Sequence, residues 1–237
     1  MTGLEIAAVL ALVAAGAMVQ GCVGIGLGLV AAPGLVAIDT AFAPGPILIV
    51  GVVVGARHVL VEHPHADWPA FRHCAFGLPV GLGGALLVLA VVDGRTMAIL
   101  VGITTAVAAL AILLSRPIHR TKTVEVAAGA TCTFAAITAG LPGPPLVVAF
   151  SDMKPGTMRF TASAFISSVA LVSFVALPLS GNFGRQELEL LGLMVPGAFI
   201  GLGLARVVRP VLDRPWVRTV MLLIAIAGGL VLAGRSW

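Results

Sequence analysis

Charged and aromatic residues are scarce in this chain, and tyrosine is absent. Of the 237 residues, 10% are charged and 5% are aromatic, whereas about 25% of a typical soluble domain is charged. The hydrophobic share is 59%, which is more than a soluble fold of this length can hide from water. The composition therefore excludes a soluble protein and predicts an all-α polytopic membrane protein.

Cysteines are few, and the usual catalytic signatures are missing. Three cysteines are an odd number, which gives no reason to expect a structural disulfide. The sequence has no nucleophile elbow, no H-E-x-x-H pattern and no serine–histidine pair within an apolar segment. We therefore expect that the protein is not an enzyme and binds no cofactor.

Basic residues form no patch, although the net charge is +4. They lie mainly in short links between apolar segments, where membrane topology requires them, so nucleic-acid binding is not expected. Histidines concentrate between His58 and His73, and His63 and His65 have a spacing that could bind a metal. Because no second ligand pair has a matching spacing, we favour a solvated loop without a metal.

Long apolar runs fill most of the sequence. They cover residues 4–38, 46–61, 75–92, 96–114, 124–150, 160–179, 188–205 and 217–233. Six runs are close to the length of one membrane-crossing helix, about 20 residues, whereas the first and the fifth are longer. Each half thus holds one long run followed by three plain ones, so we divide the chain into repeats 1–115 and 116–237. Thr2 and Glu5 predict a capping box that opens the first helix.

Glycine and proline interrupt both long runs at corresponding places. The first interruption extends from Gly21 to Gly28 and on to Pro33, and the second from Gly140 to Pro145. Identical residues recur 111 positions apart in the pairs Pro33/Pro144, Leu35/Leu146, Val36/Val147, Pro44/Pro155 and Gly45/Gly156. In a membrane protein, a matched pair of interrupted segments is the best sequence indicator of a transport site.

The positions of lysine and arginine distinguish two topologies. If all eight runs cross the membrane once, the 14 positive residues divide seven and seven between the two sides. If the two interrupted runs instead enter and leave on the same face as helical hairpins, the division is eleven to three. Because cytoplasmic loops carry an excess of positive charge, we favour the hairpins. Each half is then a hairpin plus three transmembrane helices, and the halves are inverted repeats with both termini outside.

The two interruptions resemble the signatures of the TauE/SafE family of sulfite exporters, also called the toluenesulfonate uptake permease family. Gly24-Ile-Gly-Leu-Gly28 followed by Pro33 is similar to the family's G-x-G-G-G…P. Gly140-Leu-Pro-Gly-Pro-Pro-Leu146 is similar to its G-x-G-G-P-P-L. Gly156 and the stretch from Arg159 to Ser168 resemble the continuation in the family's second repeat.

This resemblance covers nearly the whole chain, with a few departures. Leu27 and Pro142 stand where the family's motifs have glycine, and the tyrosine that often follows the second motif is missing. The resemblance implies a multi-pass transporter of the bacterial inner membrane. Its partners would be the lipid bilayer and a small sulfur-containing anion, such as sulfite or an organosulfonate, and a homo-oligomer is possible.

A transported anion needs groups that replace its water, and the interrupted backbone can supply them. Glycine lets a ligand approach the backbone, and a helix that restarts after a break presents free N–H groups at its positive end. Unwound backbone at membrane depth is tolerated where it is buried or lines a cavity. We therefore place the substrate where the two breaks meet. The candidate binding residues are Gln20, Gly24, Gly26, Gly28, Pro33, Thr138, Gly140, Gly143, Pro144, Pro145 and Arg159.

Other roles are open for these residues. Gln20 could merely satisfy a backbone carbonyl, and the break glycines could serve close helix packing. Arg159 could be a loop charge that sets topology. A rival function is a membrane thiol–disulfide relay that uses Cys22 and Cys132, which lie in the two interrupted helices. Because neither cysteine is in a Cys-x-x-Cys context, we favour the transporter.

Overall fold

The computed structural model describes residues 1–114, 118–179, 184–212 and 215–235, and within these ranges the chain is helical without any β-strand. Its α-helices are α1 (Gly3–Val23), α2 (Leu27–Ile38), α3 (Gly45–Val61), α4 (Trp68–Leu89), α5 (Gly94–Leu114), α6 (Lys122–Ala139), α7 (Gly143–Ala149), α8 (Pro155–Leu179), α9 (Arg185–Leu212) and α10 (Pro215–Arg235). Two short 3₁₀ helices cover Thr40–Phe42 and His63–His65. The predicted all-α class is confirmed.

Several helices are long and apolar enough to cross a membrane. Among the described residues five meet this criterion, namely Gly3–Val23, Trp68–Leu89, Gly94–Leu114, Pro155–Pro178 and Arg185–Val208. Shorter apolar helices are Leu27–Ile38, Gly45–Val61 and Leu222–Gly234. Large apolar side chains on the outside of the bundle are exposed, such as Leu87 and Val207. Such a surface is unfavourable in water and favourable in lipid, as expected of a multi-pass membrane protein.

The first long apolar run contains two helices that fold back on each other. The predicted capping box opens α1, because the Thr2 hydroxyl accepts the N–H of Glu5 and the Glu5 carboxylate accepts the N–H of Thr2. After the break, Gly16 of α1 faces Leu27 at the start of α2. Further along, Gly34 of α2 faces Leu12 of α1. Residues later in α2 thus contact residues earlier in α1, so α2 runs antiparallel to α1.

The second long run also returns to the face from which it begins. Ile118, which precedes α6, donates its N–H to the hydroxyl of Ser151, which follows α7, at 3.4 Å. Arg120 Nε likewise lies 3.7 Å from a carboxylate oxygen of Asp152. The two ends of the α6–α7 segment are therefore neighbours on one face of the bundle.

The most extensive helix pairs are preserved when the first five helices exchange places with the last five. Helix α1 packs along α9 as α6 packs along α4, while α3 packs on α8 and α5 on α10. Gly77 and Gly81 let α4 approach α6, and Gly197 and Gly201 let α9 approach α1. A Cβ at any of these four glycines would collide with a backbone carbonyl oxygen of the facing helix, so small residues permit the close packing.

The structure refines the correspondence between the two halves. The 111-residue spacing holds at the ends of α2 and α7, which are Ile38 and Ala149. The breaks themselves are 116 positions apart, since α2 begins at Leu27 and α7 at Gly143. The difference arises because α2 has 12 residues and α7 has 7. Pro33 consequently lies inside α2, whereas Pro144 lies in the first turn of α7.

Candidate functional site

The two breaks contact each other inside the bundle. A Cβ on Gly28 would collide with the carbonyl oxygen of Gly140, and a Cβ on Gly143 would lie 3.0 Å from Cβ of Ile25. All four of these residues are buried. The unwound backbone is therefore enclosed by protein, which is the condition for non-helical backbone at membrane depth.

Glycine is required by the backbone conformation at both breaks. Gly24 ends α1 with φ of 96°, Gly26 precedes α2 with φ of 143°, and Gly140 ends α6 with φ of 68°. Residues other than glycine rarely adopt such backbone angles. These glycines stop one helix and redirect the chain into the next, so their first role is to shape the site.

Gln20 connects three helices at the junction. The residue is buried, with only 6% of its surface exposed. The amide Nε2 donates to the carbonyl of Gly51 on α3 at 2.8 Å, and Oε1 accepts the N–H of Leu27 on α2 at 3.3 Å. The amide thus satisfies backbone groups, which is the structural role considered for Gln20 from the sequence. It also holds the start of α2 against α1 and α3.

A small cavity lies where the breaks meet. Its volume is about 20 Å³, roughly the space that one water molecule needs. The lining residues are Gln20, Ile25, Gly26, Leu27, Gly28, Leu29, Ile47, Leu48, Gly51, Gly140, Leu141, Pro142, Gly143, Pro144 and Ile166. Among these described lining residues, Gln20 is the one with a polar side chain. An anion would otherwise meet backbone groups and apolar side chains.

The two restarted helices differ as hydrogen-bond donors. In α2 the first-turn residues Gly28 and Leu29 line the cavity, and N–H groups in a first helical turn have no partner within their own helix. In α7 the first turn contains Pro144 and Pro145, which carry no N–H. Gly143 still carries an N–H in the first turn of α7, so both helix starts have donors, and α2 has more of them.

Arg159 is paired rather than isolated. Its Nε and one terminal nitrogen donate to the same carboxylate oxygen of Glu62 at 2.9 and 2.6 Å. Partial burial raises the pKa of Glu62, but the hydrogen bonds and positive charge of Arg159 outweigh it and hold the pKa below its usual range. Glu62 therefore remains a carboxylate at neutral pH. Arg159 also packs beneath Gly24, since a Cβ there would lie 2.8 Å from its Cγ.

Six of the eleven candidate residues line the cavity, namely Gln20, Gly26, Gly28, Gly140, Gly143 and Pro144. Gly24 and Arg159 lie next to it at the end of α1. Pro33 packs toward Gly228 of α10, and the Thr138 hydroxyl donates to the carbonyl of Phe134 in its own helix. Pro145 lines a separate apolar groove of about 540 Å³ between α5, α6 and α7.

Sequence reasoning missed the contribution of α3 and the middle of α8. Ile47, Leu48 and Gly51 of α3 line the cavity, as does Ile166 of α8. The available signal was a pair of glycines, Gly51 and Gly55, four residues apart in an otherwise bulky apolar run. His58 was also missed, although it is buried and its Nε2 donates to the carbonyl of Gln20 at 3.1 Å.

The cysteines of the proposed relay lie in different environments. The Cys22 thiol donates to the carbonyl of Ala205 on α9 at 3.5 Å. Cys132 belongs to the main core cluster, together with Cys74 of the neighbouring α4. The two thiols thus lie in separate clusters with different neighbours, which does not favour a relay.

The histidine-rich link makes aromatic and ionic contacts. His63 packs edge-on against Trp68 and Phe160, and His65 lies 3.7 Å from the carboxylate of Glu62. In the described part of the chain, no group of three histidine, cysteine or carboxylate side chains is arranged to hold a metal ion.

A comparison with known families matches the chain across both breaks. The family model described as Sulfite exporter TauE/SafE matches residues 8–232, which is nearly the whole chain. Neither a comparison with curated proteins nor one with solved structures finds a match. The helical membrane architecture agrees with a family of transporters. The chain therefore belongs to the TauE/SafE family of sulfite exporters.

Proposed function

We propose that the protein carries a sulfur-containing anion, such as sulfite or an organosulfonate, across a bacterial inner membrane. The contact between the two breaks around the Gln20 cavity carries this proposal. The family match supplies the class of substrate. An oxyanion at this junction would accept hydrogen bonds from the first turn of α2, where the helix dipole is positive.

Transport would proceed by alternating access between two inverted repeats. The symmetric exchange of helix pairs supports a division into residues 1–115 and 116–237. A cavity of about 20 Å³ holds roughly one water molecule, so it would have to enlarge to admit sulfite. Movement of one half against the other would enlarge the cavity and open it to each side in turn.

The two topologies differ in a measurable way. In the hairpin topology, cysteines introduced at Ile118 and Ser151 react with a membrane-impermeant thiol reagent from the same side. Cysteines at Gly94 and Arg185 react from the opposite side, because the loops that carry them meet near Asp39 and Thr40. The measurement is labelling of oriented membrane vesicles before and after permeabilisation.

The native protein is a suitable background for this labelling, since Cys22, Cys74 and Cys132 are buried. A reaction of positions 118 and 151 from opposite sides would contradict the hairpins. It would favour eight single crossings instead.

The substrate proposal is tested by binding and transport with purified protein. We expect sulfite, thiosulfate or a short organosulfonate to raise the unfolding temperature, whereas acetate at equal ionic strength does not. A ligand at 100 times its Kd stabilises the native state by about 2.7 kcal/mol, which such a measurement resolves. The stabilising anion should also enter proteoliposomes. If no sulfur-containing anion binds or moves, the proposed substrate class is wrong.

A further inference from the structure

A buried hydroxyl on α8 is without a hydrogen-bond partner close to the site. Ser163 is 2% exposed. Within the described residues, its Oγ is the buried side-chain polar atom for which no partner is found. Burying a hydroxyl without a partner costs free energy, so such an atom needs a reason.

Other serines of the same helix behave differently. The hydroxyls of Ser167, Ser168 and Ser173 each donate to the carbonyl oxygen four residues earlier, at 2.8, 3.1 and 2.8 Å. This bond is the usual solution for serine in a membrane helix. Ser163 does not make it with Arg159, so its hydroxyl is left available to another acceptor.

Ser163 and Gln20 face a common space over α3. A Cβ added to Gly55 would lie 3.7 Å from Gln20 Nε2 and 3.7 Å from Ser163 Oγ. One turn earlier, the nearest atom to a Cβ on Gly51 would be 3.8 Å away. Gly51 and Gly55 therefore each leave room for about one methyl group, and the space at Gly55 lies between a donor on α1 and a donor on α8.

Polar side chains continue from Ser163 toward the Arg159–Glu62 pair. Arg159 precedes Ser163 by four residues on α8, so the two lie on the same face one turn apart. His58 lies on α3 between Gly55 and Glu62, where it donates to the carbonyl of Gln20. Polar groups thus follow one line from the ion pair, past Ser163, to the amide of Gln20 and the cavity.

We propose that Ser163 is a substrate ligand on the path between Arg159 and the cavity. Its hydroxyl would donate to an oxygen of the sulfur oxyanion while Gln20 Nε2 approaches from the other side. This assignment rests on the proposed transport function. It explains why a buried donor is held without a protein acceptor beside Gly55 of α3.

Replacing Ser163 with alanine tests the assignment, and Ser167→Ala is the matched control on the same helix. We expect Ser163→Ala to raise the KM for the transported anion about tenfold, because one hydrogen bond to a charged ligand is lost. Its unfolding temperature without ligand should not fall, since no protein hydrogen bond is removed. Ser167→Ala should leave KM unchanged. A wild-type KM in Ser163→Ala would overturn the assignment.

A second measurement does not depend on which anion is transported. A Ser163→Cys variant should react with a small anionic thiol reagent faster than a Ser167→Cys variant, because the path admits anions to position 163. Equal reaction rates at both positions would contradict the path. If the wild-type protein moves no sulfur-containing anion and Ser163→Cys still reacts selectively, the proposed substrate is wrong and the path remains.

Discussion

The Gly28→Ala variant is expected to lose transport by about 10- to 100-fold. Its added methyl group would collide with the carbonyl oxygen of Gly140, which belongs to the backbone of the other break and cannot turn away. Overpacking of a fitted interior costs about 1–3 kcal/mol, which corresponds to the stated range if the two breaks must meet during the cycle. Anion uptake into proteoliposomes at equal protein content measures the loss.

Two further glycine variants separate a local clash from a general effect of substitution. Gly83→Ala on α4 has no atom within 4 Å of the added Cβ, so it should transport normally. Gly143→Ala would place its Cβ 3.0 Å from Cβ of Ile25, a milder contact than that of Gly28→Ala with the Gly140 carbonyl, so its loss should be smaller. Normal transport by Gly28→Ala would show that the contact between the breaks is not needed for function.

A Gln20→Leu variant is expected to show the second large effect, a fall in transport of about 100-fold. Leucine removes the side-chain acceptor of the Leu27 N–H and the donor to the Gly51 carbonyl, both of which are buried. Leaving a buried polar group without its partner costs about 1–3 kcal/mol, so the unfolding temperature should fall as well. The cavity also loses the polar side chain of its lining.

A Gln20→Glu variant distinguishes support of the backbone from contact with substrate. Glutamate has nearly the same volume and keeps an acceptor for Leu27, but it adds a carboxyl group to a path for anions. When both effects are expressed as free energies, we expect the loss of anion binding, measured by titration, to exceed the loss of stability, measured by thermal unfolding. Gln186→Leu, at an exposed glutamine that donates to Asp39 at 3.1 Å, should change neither quantity strongly. Unaltered binding in Gln20→Glu would exclude contact with the anion.

The break glycines show how much of the site could be predicted from sequence. Gly24, Gly26 and Gly140 adopt backbone angles that glycine alone adopts readily, so their presence in apolar runs predicted the ends of helices. The alignment of the two breaks with each other was not predicted from the sequence. Because α2 is five residues longer than α7, the 111-residue spacing placed Pro33 beside Pro144, although only Pro144 lies at a break.

The partners of side chains could not be predicted in the same way. The spacing of Glu62 from Arg159, 97 positions, has no periodic signature, and the bond from Gln20 to Gly51 depends on how α1 and α3 pack. Ser163 looks like its neighbours in sequence. The structure distinguishes it because its hydroxyl lies near Gly55 of α3 and has no hydrogen-bond partner among the described residues.

The sequence by itself determined the membrane class, the helical architecture and the position of the two breaks. These properties follow from hydropathy and from backbone angles, which act over a few residues at a time. The tertiary structure decided that the breaks touch, that Gln20 holds the start of α2 against α1 and α3, and that Arg159 is paired with Glu62. Such contacts join helices far apart in the chain, and their geometry is set by the packing of small residues between helices.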